Sequence, residues 1–487
     1  MADTLKNKFF SGIVWTLVQK VATQFISVIF TIVLARLLMP EDYGLIGMLS
    51  IFISISDVFI QSGFSQALIQ KTNTSDEDYS TAFYFNFGVS VFFYFILFLG
   101  APLIANFYHE SQLVIITRIL ALNIVIGSLN IVQQAKLSKA MNFKALAVIT
   151  LICTLISGIV GLVMAYCGFG VWALVSQTLT ATLLRVFTFP LFTKWHPNRP
   201  FNKKSFNHLW GFGSKILVTG IFEVIINNLS NILIGRYYDK GQVGYFTKAR
   251  NFAEVPATTM SSVMSTVLFP LLSEIHEDGD RHKMAFKKVS FYSILFMFPV
   301  MILCAVLAEP IVIILFTEKW APCIPMLQAF LLARAFLPLN VINAHMLQTR
   351  GETKLYMNVY FITGPISILA IVISIPFGVQ AMALATLVSA ILYYSIFSII
   401  VGKRINYSFV KHLWEWRFIF ISLVFMSVGA WLVARCFSDM WVKLFVGGLV
   451  GVIIYCSCCK LFRLIDNDML EMLKTRIMIG KKKKTIS

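Results

Sequence analysis

Ionised residues interrupt several of the long apolar stretches of this 487-residue chain. Seven of them are cations, namely Lys20, Arg118, Arg185, Lys215, Lys248, Arg250 and Arg334. Three are acids, namely Asp57, Glu223 and Glu254. A charge in hydrocarbon costs about 2.5–3.5 kcal/mol on insertion scales, so such residues are expected to face the protein interior or a water-filled cavity. The surplus of cations predicts a positive cavity that binds an anion.

Arginine and lysine would hold different parts of such an anion. Arginine binds a phosphate through two parallel hydrogen bonds, whereas lysine acts as a point charge. Lys20 and Arg334 lie deepest in their apolar stretches, so they are the first candidates for substrate binding. The further candidates are Arg118, Arg185 and Arg250. The alternative for these cations is internal pairing, such as Lys20 with Glu223, which would hold helices together.

The three acids are candidates for ion coupling. A carboxylate inside a membrane protein can carry a proton or a sodium ion together with the substrate. The candidates are Glu223, Glu254 and Asp57. A metal site is not expected, because the eight cysteines lie in or beside apolar runs and form no CxxC pair.

The composition excludes an ordinary soluble protein. Apolar residues make up 58% of the chain, charged residues only 13%, and the mean hydropathy is +0.78. The longest predicted loop, 193–212, is too short for a soluble catalytic domain, and no nucleotide-binding GxxxxGK[ST] motif is present. The sequence therefore predicts a helical membrane protein that is not an enzyme and that uses no cofactor.

Apolar runs of about 20 residues mark the membrane-spanning helices. The fourteen predicted spans are 11–36, 44–69, 81–107, 112–134, 145–166, 171–192, 213–235, 246–272, 290–308, 322–347, 355–376, 379–401, 417–434 and 441–459. With the N-terminus inside, 28 of the 41 Lys and Arg residues fall on the inner side and six on the outer side. This bias predicts that both termini are cytoplasmic. It also explains the net charge of +18 without a nucleic-acid partner.

An internal repeat relates the two halves of the chain. An offset of 200 residues aligns Arg36 with Arg236 and Gly44 with Gly244. An offset of 210 aligns residues 128–134 with 338–344. The fold class predicted is an all-α polytopic membrane protein with two six-helix bundles in a parallel repeat, two C-terminal helices and a substrate cavity between the halves. The predicted domains are 1–193 (first bundle), 194–212 (cytoplasmic linker), 213–402 (second bundle), 403–460 (two added helices) and 461–487 (basic cytoplasmic tail).

Four segments near the N-terminus resemble a known family. They are LARLLMPEDYGLIGM (34–48), GFSQALIQK (63–71), DYSTAFYFN (78–86) and APLIANFY (101–108). They are similar to the polysaccharide transporter family, and in particular to Wzx-type flippases for colanic acid and teichuronic acid repeat units. That family belongs to the multidrug/oligosaccharidyl-lipid/polysaccharide exporter superfamily. The resemblance implies two six-helix bundles, often with two added helices.

The resemblance also implies a function. Relatives move undecaprenyl-pyrophosphate-linked oligosaccharides across the bacterial inner membrane, for lipopolysaccharide, capsule or exopolysaccharide synthesis. The implied partners are the lipid-linked oligosaccharide, membrane lipids, a polysaccharide polymerase and glycosyltransferases. Two alternatives within the superfamily stay open: a lipid II-type flippase and a cation-coupled multidrug exporter.

Overall fold

The computed structural model describes residues 2–61, 64–71, 73–275 and 278–464, and these residues form helices and short connections without any strand. The predicted basic tail at Lys481–Lys484 lies outside the described residues. The α-helices are α1 (Ala2–Leu37), α2 (Pro40–Gln61), α3 (Phe64–Gln70), α4 (Asp76–Tyr108), α5 (Leu113–Lys139), α6 (Phe143–Tyr166), α7 (Trp172–Thr193), α8 (Lys203–Tyr237), α9 (Lys240–Glu274), α10 (Gly279–Val306), α11 (Ala308–Phe316), α12 (Ile324–Arg334), α13 (Leu337–Thr349), α14 (Thr353–Ser374), α15 (Val379–Arg404), α16 (Phe409–Glu415), α17 (Arg417–Arg435) and α18 (Met440–Leu461). Short 3-10 turns cover Glu318–Cys323 and Ile375–Phe377.

The chain is a multi-pass helical membrane protein, as predicted. Among the described residues, 11 helical segments are long and apolar enough to cross a membrane. The three remaining predicted spans fall on α2, α8 and α9, which are 22, 35 and 35 residues long. Asp57 lies on α2, Glu223 on α8 and Glu254 on α9. The count of fourteen spans therefore stays a prediction.

One predicted span contains a break. The span 322–347 divides into α12 and α13, with Ala335 and Phe336 between them. Pro338 follows the break, and a proline near a helix start is tolerated because its missing N–H would lack a partner there anyway. The predicted span 44–69 falls on α2 and α3, and residues 62–63 between them lie outside the described residues. Arg334 is thus the last residue of a helix instead of an interior one.

Helix boundaries follow the internal repeat. The ends of α1 at Leu37 and α8 at Tyr237 differ by 200 residues, as do the starts of α2 and α9. The ends of α5 at Lys139 and α13 at Thr349 differ by 210 residues. The same turns therefore recur at the offsets found in the sequence.

Packing divides the chain into two compact units. Unit 1 contains residues 1–251, 315–323 and 367–382, and unit 2 contains residues 252–314, 324–366 and 383–487. In unit 1, α4 packs on α5, α6 on α7, α1 on α6 and α2 on α8. In unit 2, α10 packs on α12, α13 and α17, and α17 packs on α18. The five domain limits predicted from the sequence stay predictions.

Two repeat-related glycines of unit 1 meet backbone to backbone. A Cβ atom on Gly44 would overlap the carbonyl oxygen of Lys240, and one on Gly244 would overlap the carbonyl oxygen of Pro40. The first turns of α2 and α9 therefore touch through atoms that only glycine leaves accessible. Each half of the repeat supplies the same residue to this contact, so the contact is reciprocal.

We predict that Gly44→Ala lowers the melting temperature of the detergent-purified protein. The added methyl group forces the backbones apart, and overpacking of this kind costs about 1–3 kcal/mol. Gly88→Ala is the control, because Gly88 lies in α4 with nothing within 4 Å of the added carbon. Alanine is the better helix former by about 0.5–1 kcal/mol, so the control keeps or raises the melting temperature. Equal shifts in both variants would contradict the close contact.

A polar clamp joins the segment around α16 to α10 within unit 2. Lys287 Nζ lies 2.8 Å from Glu415 Oε1, and the Tyr407 hydroxyl donates to Glu415 Oε2 at 2.6 Å. Burial raises the pKa of Glu415, but the hydrogen bonds from Lys287 and Tyr407 outweigh it and leave this pKa below its usual value. Beside the clamp, the His412 ring lies 3.9 Å from that of Trp416, and burial lowers the pKa of His412 to about 4. The clamp is therefore built with an ionised carboxylate and a neutral imidazole.

Acid is predicted to destabilise this region of unit 2. In the unfolded chain His412 binds a proton near pH 6.5, whereas in the folded chain it binds one only near pH 4. The unfolded chain therefore binds more protons between these values, and stability falls as the pH drops through that window. The depressed pKa of Glu415 adds a further loss below about pH 4.5. In melting curves from pH 7.5 to 4.5, His412→Phe should flatten the dependence above pH 4.5. The exposed His208, replaced in the same way, should leave it unchanged.

Candidate functional site

A polar cavity of about 650 Å³ lies inside unit 1. Helices α1, α2, α3, α5, α6, α7 and α8 contribute its walls. The α5 wall consists of residues spaced by three or four positions, namely Asn123, Gly127, Asn130 and Gln134. Such residues share one helix face. The lining of Thr182, Arg185 and Phe189 on α7 follows the same rule.

Amides and hydroxyls dominate the polar cavity. Its amide side chains are Gln19, Gln66, Asn123, Asn130 and Gln134. Its hydroxyl side chains are Ser65, Thr150 and Thr182. Gln19 Nε2 donates to Thr150 Oγ1 at 3.2 Å, and Asn130 Nδ2 donates to the carbonyl of Thr182 at 3.4 Å. These bonds orient the two amide groups along the wall.

Two amide oxygens of this wall lack a protein partner. Asn130 is 5% exposed, and its Oδ1 accepts no hydrogen bond in the described part of the chain. The same holds for Oδ1 of Asn123. An unsatisfied buried acceptor costs about 1–3 kcal/mol, and both oxygens are themselves enclosed in the wall, so each is an acceptor that still needs a donor. Asn340, which the repeat aligns with Asn130, also has an unpartnered Oδ1 in unit 2.

Asp57 and Arg185 bring one negative and one positive charge to the polar cavity. Both side chains are partly buried, and neither makes an ion pair or a side-chain hydrogen bond to another described residue. The structure thus places one substrate-binding candidate and one ion-coupling candidate at a single cavity. It does not bring the other predicted charges into the lining of that cavity.

Lys20 and Glu223 are exposed residues of unit 1. Lys20 directly follows the cavity residue Gln19 on α1, and its ammonium group has no partner among the described residues. Although both side chains are described, Lys20 and Glu223 form no ion pair. The internal pairing considered for Lys20 is therefore not the arrangement in this structure.

Three of the other predicted cations have protein partners. Arg118 donates to the carbonyl of Phe98 at 3.3 Å and lies 4.4 Å from the centre of that ring. Arg250 donates to the carbonyl of Asn227. In unit 2, Arg334 Nη2 lies 3.1 Å from Glu254 Oε1, so internal pairing occurs here. Arg118, Arg250 and Arg334 are therefore bound within the protein, and the acid Glu254 is the partner of Arg334.

Lys248 occupies an aromatic cage in unit 1. Its ammonium lies 4.4 Å from the ring of Tyr43, 4.8 Å from that of Phe316 and 5.5 Å from that of Trp320, and donates to the carbonyl of Thr31 at 3.2 Å. A desolvated cation over aromatic faces gains about 2 kcal/mol or more. Lys248 is 3% exposed, so it is packed inside unit 1 and is not accessible to an anionic ligand.

The segment that supplies Phe316 and Trp320 is fastened to the end of α1. Trp320 Nε1 donates to the carbonyl of Ala35 at 2.8 Å, and Lys319 Nζ donates to that of Arg36 at 2.7 Å. Arg36 Nε in turn donates to the carbonyl of Leu315 at 2.9 Å. These reciprocal bonds hold residues 315–323 in unit 1, far from their place in the sequence.

Sequence reasoning missed the amides of α5 as site residues. The repeat alignment had drawn attention to residues 128–134, but as a structural element. The spacing of Asn123, Asn130 and Gln134 on one helix face is the signal that marks them. Amides are common both as contacts between helices and as cavity linings, so the spacing alone does not separate these roles.

The family model for "Polysaccharide biosynthesis protein" matches residues 33–325, which is more than half of the chain. The chain belongs to this family. The resemblance of residues 34–108 to polysaccharide transporters is therefore confirmed. The matched region includes most helices that line the polar cavity.

Two curated relatives and one solved structure are similar to the chain. The succinoglycan biosynthesis transport protein ExoT of Rhizobium meliloti is 24% identical over 66% of this chain, and the match covers 65% of that relative, just under two-thirds of its length. The teichuronic acid biosynthesis protein TuaB of Bacillus subtilis is 22% identical over 72% of this chain and 73% of its own. The structure of the lipid II flippase MurJ in an inward closed conformation has a TM-score of 0.71 and 17% identity, and covers 93% of this chain and 98% of its own. This likeness shows the fold.

We predict that the Arg334–Glu254 pair stabilises unit 2. Reversal of both charges should therefore restore the thermal stability that either single reversal removes. Arg334→Glu and Glu254→Arg should each lower the melting temperature, because each places like charges in contact. The double variant should recover most of the loss. Arg281→Asp is the control, because the Arg281–Asp278 pair is exposed by 73% and 48% and exposed pairs contribute little. A double variant as unstable as the worse single variant would contradict a structural pair.

Proposed function

We propose that this protein is a flippase that moves lipid-linked oligosaccharide precursors of a surface polysaccharide across the bacterial inner membrane by alternating access. The observation that carries the proposal is a wide polar cavity within a helical membrane protein of the polysaccharide biosynthesis family. Lipid contact does not require such a cavity, whereas passage of a hydroxyl-rich head group does. The similarity to a succinoglycan biosynthesis transport protein and to a teichuronic acid biosynthesis protein supports the same substrate class.

The proposed substrate is an undecaprenyl-pyrophosphate-linked oligosaccharide repeat unit. Its prenyl tail stays in the bilayer while its head group crosses through the protein. Both termini of the chain are cytoplasmic, and the protein receives its substrate from glycosyltransferases and delivers it to a polymerase. In this arrangement the head group enters from the cytoplasmic leaflet and leaves at the outer one.

Lys20 is the cation that we assign to the pyrophosphate. It is exposed and has no partner in the described part of the chain, whereas Arg118, Arg250 and Arg334 make the contacts described above. Arg185 also lacks a partner, but it shares the polar cavity with the carboxylate of Asp57. Lys20 therefore has the greatest freedom to meet an anion.

Asp57 is the first candidate for ion coupling. Glu254 is already paired with Arg334, and Glu223 is exposed, whereas Asp57 is a partly buried carboxylate without an ion pair among the described residues. A proton or sodium ion bound there would travel with the conformational change. The membrane potential supplies a second driving force of about 2.3 kcal/mol per charge per 100 mV, and it favours outward movement of an anion.

The test is transport in reconstituted vesicles that contain pooled lipid-linked oligosaccharides from capsule- and exopolysaccharide-producing bacteria. Periodate does not cross a bilayer, so it oxidises only the sugars of the outer leaflet, and the oxidised fraction reports flipping. Wild-type protein should flip a member of the pool, and Lys20→Gln should slow flipping about tenfold, as expected for the loss of about 1.4 kcal/mol of charge interaction. Lys204→Gln, on the exposed first turn of α8, is the matched control and should flip at the wild-type rate.

Other outcomes would point to the alternative functions. Flipping of lipid II alone would assign the protein to that substrate. Export of a cationic dye without flipping of any glycan lipid would overturn the proposal in favour of a multidrug exporter, for which Asp57 would serve as the cation-binding group. Flipping by Lys20→Gln at the wild-type rate would keep the flippase and remove Lys20 from its site.

A further inference from the structure

We propose that the polar cavity of unit 1 is a saccharide subsite, which binds the sugars of the lipid-linked substrate and not its pyrophosphate. The inference rests on the proposed function, and it assigns one part of the substrate to one set of residues. It also gives the α5 amides the role of selecting the glycan.

The hydrogen-bonding capacity of the lining matches sugar hydroxyls. A hydroxyl group both donates and accepts, and an amide side chain offers one acceptor oxygen and two donor hydrogens. Five amides and three hydroxyls line the polar cavity. A phosphate, by contrast, offers acceptors only and needs a lining that consists of donors. The mixture found here suits a ligand that exchanges both kinds of hydrogen bond.

The unpartnered amide oxygens point to a donor from the ligand. Asn130 is fixed in place, because it is 5% exposed and its Nδ2 donates to the carbonyl of Thr182. Its Oδ1 is enclosed in the wall and accepts no hydrogen bond from the described residues, so a donor reaches it only when the wall moves. An ionised pyrophosphate has no hydrogen to donate to this oxygen, whereas a sugar hydroxyl does.

The charges of the lining oppose a pyrophosphate. Among the described residues, Arg185 and Asp57 are the charged ones that line the cavity, and their formal charges cancel. A pyrophosphate placed here would meet the repulsion of Asp57 as well as the attraction of Arg185. A neutral sugar can use both groups, because the carboxylate accepts from one hydroxyl and the guanidinium donates to another.

The volume of the polar cavity is suitable for a short saccharide. Its volume of about 650 Å³ lies within the range of about 300–1,000 Å³ that is usual for ligand pockets. At about 30 Å³ for each molecule of liquid water, it holds about twenty waters. A short saccharide can therefore replace water whose hydrogen bonds it reproduces.

The experiment compares the binding of two lipids that differ only in their sugars. One is the lipid-linked oligosaccharide that wild-type protein flips, and the other is undecaprenyl pyrophosphate without sugar. Dissociation constants are measured for protein in nanodiscs. Asn130→Leu should weaken binding of the glycan lipid about tenfold and leave binding of the sugar-free lipid unchanged. Gln134→Leu, at a more exposed position of the same wall, should also weaken binding of the glycan lipid. It replaces Asn130→Leu in the experiment if that variant does not fold.

Asn86→Leu is the matched control. Asn86 is a fully buried asparagine of α4 that also has an unpartnered Oδ1, but it does not line the polar cavity. This variant should bind both lipids as the wild type does. A loss of glycan-lipid binding in Asn86→Leu equal to that in Asn130→Leu would show a general effect on the fold and overturn the subsite.

Asp57→Leu separates the two possible ligands by the sign of its effect. At a saccharide subsite it removes both carboxylate acceptors, so binding of the glycan lipid weakens and binding of the sugar-free lipid is unchanged. At a pyrophosphate site it removes repulsion, so both lipids bind more tightly. Tighter binding of both lipids, or equal weakening of both by Asn130→Leu, would overturn the subsite. If these results overturn the saccharide subsite while the wild-type protein still flips the glycan lipid, the proposed flippase function stands. If the wild-type protein neither flips nor binds a glycan lipid, both the subsite and the proposed function are wrong.

Discussion

Hydrocarbon does not solvate charges or unpaired polar groups, and this constraint organises the protein. Every polar side chain on a membrane helix must find a protein partner, a ligand or water, because exposure to lipid costs several kcal/mol. Lys248 meets the constraint with three aromatic rings and a carbonyl group. Arg334 meets it with Glu254. The amides of the polar cavity meet it by facing a space large enough for water or sugar.

The contact between Gly44 and Gly244 shows how the repeat shapes unit 1. Two helices that approach this closely need glycine at the crossing, and the repeat provides it on both. The aromatic cage of Lys248 lies on the same helices, since Tyr43 precedes Gly44 and Lys248 follows Gly244 by one turn. The close backbone packing and the buried Lys248 thus occur at the same contact between α2 and α9. Residues 315–323 complete it with Trp320.

The function follows from the lining of the polar cavity more than from the fold. The lipid II flippase shares the fold at 17% identity, and a shared fold is compatible with many substrates. The sequence predicted a positive cavity from seven cations and three acids. In the described part of the chain, these charges are found in an aromatic cage, in an ion pair, in carbonyl contacts, at exposed positions and, as Asp57 and Arg185, in the polar cavity. The chemistry that remains at the cavity suits a hydroxyl-rich ligand.

The sequence by itself determined the membrane helices, their repeat and the family. Hydrophobic length and internal alignment are local properties of the chain, so the turn after α1 and its partner after α8 were both predicted at the offset of 200 residues. The resemblance of residues 34–108 was equally visible, because motifs are read along the chain. The break between α12 and α13 was missed, since hydropathy continues through it.

Only the tertiary structure decided which polar residues share a space. Asp57 and Arg185 are separated by 128 positions in sequence yet line one cavity, and Lys248 and Trp320 meet although they are 72 positions apart. Charge and hydropathy along the chain show that a residue must avoid lipid, but they do not show which group in the protein interacts with it instead. A carbonyl group, an aromatic ring, an opposite charge and a water-filled cavity all meet that need, and the choice among them depends on helix packing in three dimensions.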